Sequence, residues 1–406
     1  MKKNLLWLLL PFSLGAGNLQ ELVEHAHNNP MMQASRYSAE ASVLQKEALE
    51  QSYLPSIVLG GSHAYNAEKT ATTLDQTTTG FAKLSYTLYD GGRKEALIDA
   101  YEANIKSAQF LTNATANDLA LQVSYAYYYH FSLLANQEAL TQKIEQLQAE
   151  SYRLERFLSV GSTTQDALLR IQASLEQTKV ELLQTQEAIT KNLNTLEYLT
   201  AQSIVPTKGS TLVVAEHQSA STQRYDILAQ EQSVLSAKAN AQSAKAPHRP
   251  TITIEDTYSR YDNDYADILG TNKQNTLSLN IQWKIFDFGS TSSTYEASYK
   301  NYLSKNSELV YAKQKASAGL KNAYNSYKTS LAKIESAQLR VKASDATYEI
   351  VKKKFQNGIV DNVTYLDALS EKYSAIASLS TARNDIEYQK AILLYEMGKE
   401  IKGAIQ

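Results

Sequence analysis

The chain has 406 residues, a formal net charge of −2 and no Cys. Near-neutral charge excludes a global basic field for nucleic acid, and the missing thiols exclude a disulfide framework, thiolate metal sites and Cys catalysis. Gly and Pro are scarce, at 15 and 6, which favours long uninterrupted elements, while Tyr is abundant at 27.

Residues 1–17 have a basic start (Lys2, Lys3), an apolar run from Leu5 to Leu14 and small residues at Gly15, Ala16 and Gly17. This is the layout of a secretory signal peptide. The run is about half the ~20 residues that a spanning helix needs. No later stretch approaches that length, so entry into a membrane would have to be by strands.

Leu19–His27 reads as a short amphipathic helix ended by Asn28-Asn29-Pro30, and Met31–Ser52 as a second helix closed by Pro55. A strand is predicted over 56–65, a polar loop over Ala67–Thr79, and a second strand over 81–89. In the second strand Ala82, Leu84, Tyr86 and Leu88 alternate with Lys83, Ser85 and Thr87. After Tyr89-Asp90-Gly91-Gly92, a helix without Pro or Gly is predicted over 93–158, with Leu119, Ala126, Leu133, Leu140, Leu147 and Leu154 seven apart. At ~1.5 Å per residue it is roughly 100 Å long. A turn at Ser159–Thr163 leads into a returning helix over 164–200, and 206–221 reads as an irregular linker.

The order then repeats. A helix is predicted over 222–246, a strand over 251–261, a polar loop over Asp262–Asn275 and a strand over 276–286 with Leu277, Leu279, Ile281, Trp283 and Ile285 on one face. A helix over 290–355 follows, then a turn at Gln356–Asn362 and a helix over 363–401. From Ala316 to Phe355 a strict 3.5-residue period holds, the mark of a helix that supercoils against neighbours. Pro55 and Pro250, Tyr89 and Phe286, and Phe157 and Phe355 are each separated by nearly the same interval. The expected organisation is a signal peptide over 1–17, a first repeat over 18–205, a linker over 206–221 and a second repeat over 222–401.

Strands of about ten residues with alternating polarity suit a tilted membrane strand. Four strands per chain cannot close a barrel, and an open edge in lipid leaves backbone groups unsatisfied, so several copies must combine. Tyr86, Tyr89, Trp283 and Phe286 sit where an aromatic girdle would be.

The chain resembles the TolC-like outer membrane efflux protein family. The resemblance rests on the duplicated element order, the Leu54-Pro55 and Arg249-Pro250 strand entries, the LYDGG and IFDFG strand exits, and the tip sequences RFLSVGSTTQDALL and KFQNGIVDNVTYLDA. It implies a mainly α fold with membrane β: a homotrimer in which each subunit gives four strands to a shared 12-stranded barrel and its long coiled-coil helices to a periplasmic tunnel. It implies a passive exit duct in the outer membrane, serving a tripartite efflux pump for drug export or a type I secretion system. Its partners would be a periplasmic adaptor protein, an inner-membrane pump or ABC transporter, and outer-membrane lipid. The strand loops would be extracellular and the turns near Gly161 and Gly358 periplasmic. A secreted coiled-coil scaffold or a periplasmic adaptor is the alternative, and the duplicated strand pairs argue against it.

Aligned on Gly358, the family's two aperture acids fall on Thr364 and Asp367, and its latch Arg and Tyr fall on Val360 and Phe355. Only Asp367 carries over in kind. In a trimer it would form a ring of three carboxylates that concentrates cations. Asp361 is a candidate substitute for Thr364, and packing of Phe355 and Tyr365 a substitute for the latch. Arg156, Phe157, Gly161 and Gly358 lie at the turns where the family meets its adaptor. No motif points to an enzyme, a cofactor or a metal: His25 and His27, two apart on a helix, do not share a face.

Overall fold

The structure, a computed structural model, describes residues 15–68, 76–214, 223–262 and 272–406. Most of the expected signal peptide, the tips of both strand loops and part of the linker therefore lie outside the described residues. The helices are α1 (Leu19–Ala26), α2 (Pro30–Ser52), α3 (Arg93–Ser159), α4 (Gln165–Thr200), α5 (Tyr225–Ser243), α6 (Ser290–Gln356) and α7 (Asn362–Glu396). The strands are β1 (Gly15–Gly17), β2 (Ser56–Tyr65), β3 (Gln76–Tyr89), β4 (Ile204–Pro206), β5 (Thr251–Asp262) and β6 (Lys273–Gln282). No described helix is long and apolar enough to cross a membrane.

The chain forms two units, each drawn from both halves of the sequence. Residues 35–111 and 226–312 make one of them. Its centre is an antiparallel sheet in the order β2-β3-β5-β6. On one face Leu84 lies opposite Ile57, Ile254 opposite Leu279 and Ile252 opposite Ile281. Ile57, Leu59, Leu84, Leu277, Leu279 and Ile281 are all exposed there. The other face is mostly polar, with Val58 and Phe81 as its apolar members, and across it Lys83 Nζ meets Glu255 Oε1 at 2.7 Å. Among the described residues, β2 and β6 each leave one edge unpaired.

The sheet departs from expectation at its ends. β3 starts at Gln76, because Gln76–Gly80 pairs with Gly61–Tyr65, so the last four residues of the expected first loop, Gln76–Thr79, are strand. Asp262 and Lys273–Asn275 are likewise strand rather than loop. At the other end β6 stops at Gln282 and not at Phe286. Gln282 pairs with Thr251, the first residue of β5. Beyond Thr251 stands Pro250, which has no N–H to donate, so Trp283–Phe286 finds no ladder partner among the described residues. The Trp283 indole instead donates to the His248 carbonyl at 3.0 Å.

The other unit comprises residues 15–34, 112–225 and 313–406 of the described chain. The seven-residue rows that the sequence shows in α3 and α6 are buried seams, and α4 buries a row of the same spacing. Leu119, Ala126, Leu147 and Leu154 of α3, Leu168, Leu175 and Leu196 of α4, and Ala316, Ala323, Ser330, Ser344 and Tyr348 of α6 are buried. The alternate α6 row, with Leu320, Tyr327, Ile334 and Val341, is half-buried.

α1 packs Leu19, Leu22, Val23 and Ala26 against Leu119, Val123, Tyr127, Leu196 and Leu199. Asn18 and Glu21 cap it reciprocally. β1 pairs with β4 (Ile204–Pro206), a strand the sequence reading, with its irregular linker from 206, does not contain. Two of the many Tyr serve this core: Tyr127 donates its hydroxyl to the Thr207 carbonyl at 2.6 Å and Tyr128 to that of Ser210 at 3.2 Å.

Two helix ends also differ. α7 stops at Glu396 rather than Ile401, because Gly398 adopts φ +71° and closes it with a left-handed cap. α5 covers Tyr225–Ser243, and Ala246–His248 is a separate 3-10 turn with Pro247 inside it.

Candidate functional site at the helical tips

Two helical hairpins, α3–α4 and α6–α7, end in turns of the same construction. Gly161 and Gly358 take φ of +71° and +70°. The Gly161 N–H donates to the Leu158 carbonyl and the Ser162 N–H to that of Phe157. In the second turn the Gly358 N–H donates to Phe355 and the Ile359 N–H to Lys354. Both are left-handed caps in which glycine avoids the Cβ clash. Nothing lies within 4 Å of a Cβ built on either glycine, so only backbone conformation selects it.

The tips are joined by side chains. Phe355 stacks on Tyr365, with ring centroids 4.7 Å apart and planes 13° apart. The Arg153 guanidinium lies 5.0 Å from the Phe157 ring and 5.1 Å from the Phe355 ring, so one cation bridges the two hairpins. Glu150 holds that guanidinium: Arg153 Nη2 and Nε donate to its carboxylate at 2.6 and 2.9 Å. Glu150 is only 8% exposed. Burial pushes the Tyr365 hydroxyl pKa up, so that phenol is neutral. Asn362 donates from Nδ2 to the Ala167 carbonyl at 2.8 Å, tying α7 to α4. A cavity of about 580 Å³ lies between the turns, with Arg153, Phe157, Arg170, Phe355, Gly358 and Asp361 among its lining.

The expected aperture residues separate into two kinds. Asp361 is the N-cap of α7: its Oδ1 accepts from the Thr364 backbone N–H at 2.9 Å and from the Thr364 hydroxyl. Those hydrogen bonds hold its carboxyl below the ordinary range, with Arg170 adding a smaller push in the same direction. Thr364 is thus part of the cap. Asp367, one turn further on, is exposed. Val360 is half-buried in the turn, and Arg156, exposed, lies over the Tyr152 ring at 5.4 Å. Glu150 and Arg153 were missed in the sequence. Their signal was an i, i+3 pair on a helix ending in aromatics, which is common on solvated faces. The girdle residues lie at the sheet: Tyr86 is half-buried, while Tyr89, Trp283 and Phe286 are exposed. Among the described residues no group of acidic or His side chains could hold a metal ion.

Comparison with known proteins decides the family. The outer membrane efflux protein family matches residues 22–202 and again residues 217–397. The chain belongs to the outer membrane efflux protein family. The outer membrane protein TolC of Vibrio cholerae serotype O1 is 24% identical over 413 residues, covering 94% of this chain and 92% of that protein. Among solved structures, VceC from Vibrio cholerae superposes with a TM-score of 0.84 at 17% identity, over 94% of this chain and 96% of that one. MtrE of Neisseria gonorrhoeae, in its open state, gives 0.77 at 17% identity over 95% and 89%. As a member of this family, the chain is an outer-membrane exit duct of an efflux system with a long periplasmic tunnel.

Proposed function

We propose that three copies form the duct. They join edge to edge, β6 of one copy against β2 of the next, and close a 12-stranded barrel across the outer membrane. The observation that carries this is the sheet itself: four strands, two unpaired edges and one exposed apolar face. In lipid, unpaired strand edges leave backbone groups unsatisfied, and closure with further copies removes them. The two halves of each copy act as structural repeats, one hairpin each, and the leader is cleaved before Gly15, because Gly15–Gly17 is strand β1 paired with β4. The test is detergent extraction followed by mild gel analysis and planar-bilayer recording. A stable trimer with ion conductance is expected; a detergent-independent monomer would overturn the reading.

The tips are the regulated end. Asp367, exposed on α7, forms the carboxylate ring of the aperture, while the Phe355–Tyr365 stack and Arg153 keep the hairpins together. Arg156, Phe157 and the turns at Gly161 and Gly358 present the surface for a periplasmic adaptor, itself coupled to an inner-membrane pump or ABC transporter. Asp367→Ala is expected to abolish block by divalent cations added from the periplasmic side, and unchanged block would remove Asp367 from the aperture.

A further inference from the structure

The tyrosines of α3 at 125, 127, 128 and 129 divide between two faces. Tyr127 and Tyr128 are buried and give their hydroxyls to backbone carbonyls, as a buried phenol must. Tyr125 and Tyr129 are 47% and 39% exposed. Residues two apart on a helix point roughly 200° apart. These two therefore stand on the side of α3 turned away from α1, which packs on Tyr127. Their rings stack, with centroids 5.5 Å and planes 7° apart, and Tyr388 of α7 closes on Tyr125 at 5.0 Å. Among the described residues none of these three hydroxyls makes a hydrogen bond, so the cluster is not a hydrogen-bonded part of the core.

Asp385 stands one turn before Tyr388. Its Oδ1 accepts from Gln389 Nε2 at 3.3 Å, and among the described residues no Lys or Arg pairs with it. Burial, and after it Tyr125 and Asp385, push the Tyr388 hydroxyl pKa up, so that phenol is neutral and feels the carboxylate. Asp385 also lines a cavity of about 830 Å³ that continues along α7 past Thr381, Ser378 and Ser374. Of the cations lining it, Lys143 is held at Ser370 and Arg340 by Glu371. Both anchors lie roughly 20 Å down α7 from Asp385, at ~1.5 Å per residue. Lys333 lines the cavity too, as does Glu181, and makes no ion pair with Asp385. Asp367, Ser374, Thr381 and Tyr388 are spaced by seven on α7. The tyrosines thus continue the line of the proposed aperture carboxylate, roughly 30 Å further along the helix. We infer that Tyr125, Tyr129, Tyr388 and Asp385 form a binding site for aromatic organic cations on the tunnel wall. The cation lies against the electron-rich ring faces with Asp385 as its counter-charge, and its apolar body displaces water from the exposed stack. An anion would meet the carboxylate and the negative ring faces together. A second copy packed here would bury three phenol hydroxyls and a carboxylate that this chain leaves without partners. The tunnel placement rests on the duct reading proposed above.

The experiment uses the detergent-solubilised full chain and ethidium, a permanently charged aromatic cation, read by fluorescence anisotropy. Anilinonaphthalene sulfonate serves as the anionic aromatic for comparison. Saturable ethidium binding is expected. Asp385→Asn should weaken it about tenfold, and Tyr125→Leu several-fold. Tyr125→Phe keeps the ring face and should bind as the parent does. Unchanged ethidium binding in both Asp385→Asn and Tyr125→Leu would overturn the site. So would a parallel loss of sulfonate binding, which marks an apolar patch indifferent to charge. Tyr129→Cys, in a chain with no other thiol, reports access to the stack. Reaction with a water-soluble maleimide in the assembled trimer is expected; protection there but not in the unassembled chain would assign the stack to a subunit contact instead. Planar bilayers separate the site from the duct. The parent should conduct, and ethidium should block that current in a voltage-dependent way that Asp385→Asn relieves. Conductance with neither block nor binding dependent on Asp385 would sink the site alone. Asp385-dependent binding by a chain that never conducts would sink the duct reading and the tunnel placement, and leave the cation site standing.

Discussion

Arg153 and Phe355 come from different hairpins, yet the Arg153 guanidinium sits 5.1 Å from the centre of the Phe355 ring, with Tyr365 stacked on that ring. The contact couples the two tips through one aromatic side chain. The aromatic pair contributes about 0.5–1.5 kcal/mol and the cation over the ring about 0.5–1 kcal/mol. Phe355→Ala removes both and is expected to shift the closed–open balance about tenfold toward open, since roughly 1.4 kcal/mol is a factor of ten. Single-channel recording checks this, and a conductance record unchanged from the parent would remove the stack from the closed state.

Glu150 supplies the second half of the same contact. It is buried and held by Arg153 through two short hydrogen bonds. Removing one partner of a buried pair is worse than removing both, because the survivor keeps its charge without compensation. Arg153→Met is therefore expected to destabilise the tips more than Arg153→Met combined with Glu150→Gln. Thermal unfolding of the detergent-solubilised protein, compared across the two variants, measures the difference.

Much of this arrangement was legible in the sequence and some was not, for identifiable reasons. The seams of α3, α4 and α6 follow from a repeat of seven, since burial of one helix face is a periodic property. The turns at Gly161 and Gly358 follow from glycine in the left-handed cap. The end of β6 was misplaced because the apolar alternation runs on to Ile285 while the partner strand begins at Thr251, and register is a property of two strands. The pairing of β1 with β4 joins residues far apart in sequence through three-residue segments too short for any period. Gly398 was passed over because the helical pattern continues past it to Ile401. The Arg153 contacts depend on supercoiling that brings two hairpin ends together, which no local pattern encodes.

Asp361 makes the α7 cap sensitive to acid. Its carboxyl is held below the ordinary value of 3.8, mainly by the Thr364 hydroxyl and backbone N–H. A lowered folded value means that the cap's contribution is fully present above that ordinary value and is lost as pH falls below it through the folded value. Asp361→Asn should retain the cap, since Asn is a good N-cap, while removing this part of the acid dependence. Asp361→Ala should lose the cap at every pH. Tip mobility followed by hydrogen exchange between pH 3 and 7 separates the three proteins.

Gly319 and Gly398 both lie in the unit that includes residues 313–406, and added methyl groups there should have opposite severity. A Cβ on Gly398 would fall 2.5 Å from the Gln223 carbonyl carbon and 2.6 Å from the Arg224 backbone nitrogen, at φ +71°. Backbone cannot step aside cheaply, and the left-handed conformation alone costs an L-residue about 1–2 kcal/mol. A Cβ on Gly319, in the middle of α6, would fall 2.7 Å from Glu396 Oε2. That atom is the end of a side chain, though one held by Arg224 at 2.6 Å. Against the shift of Glu396 stands the helix preference for Ala over Gly, about 0.8–1 kcal/mol. Gly398→Ala should therefore lower the unfolding midpoint clearly and loosen the cap that ends α7. Gly319→Ala should leave the midpoint nearly unchanged while lengthening the Arg224–Glu396 contact. If both variants unfold at the parent's midpoint, the Gly398 cap does not hold the end of α7 against the segment at Gln223.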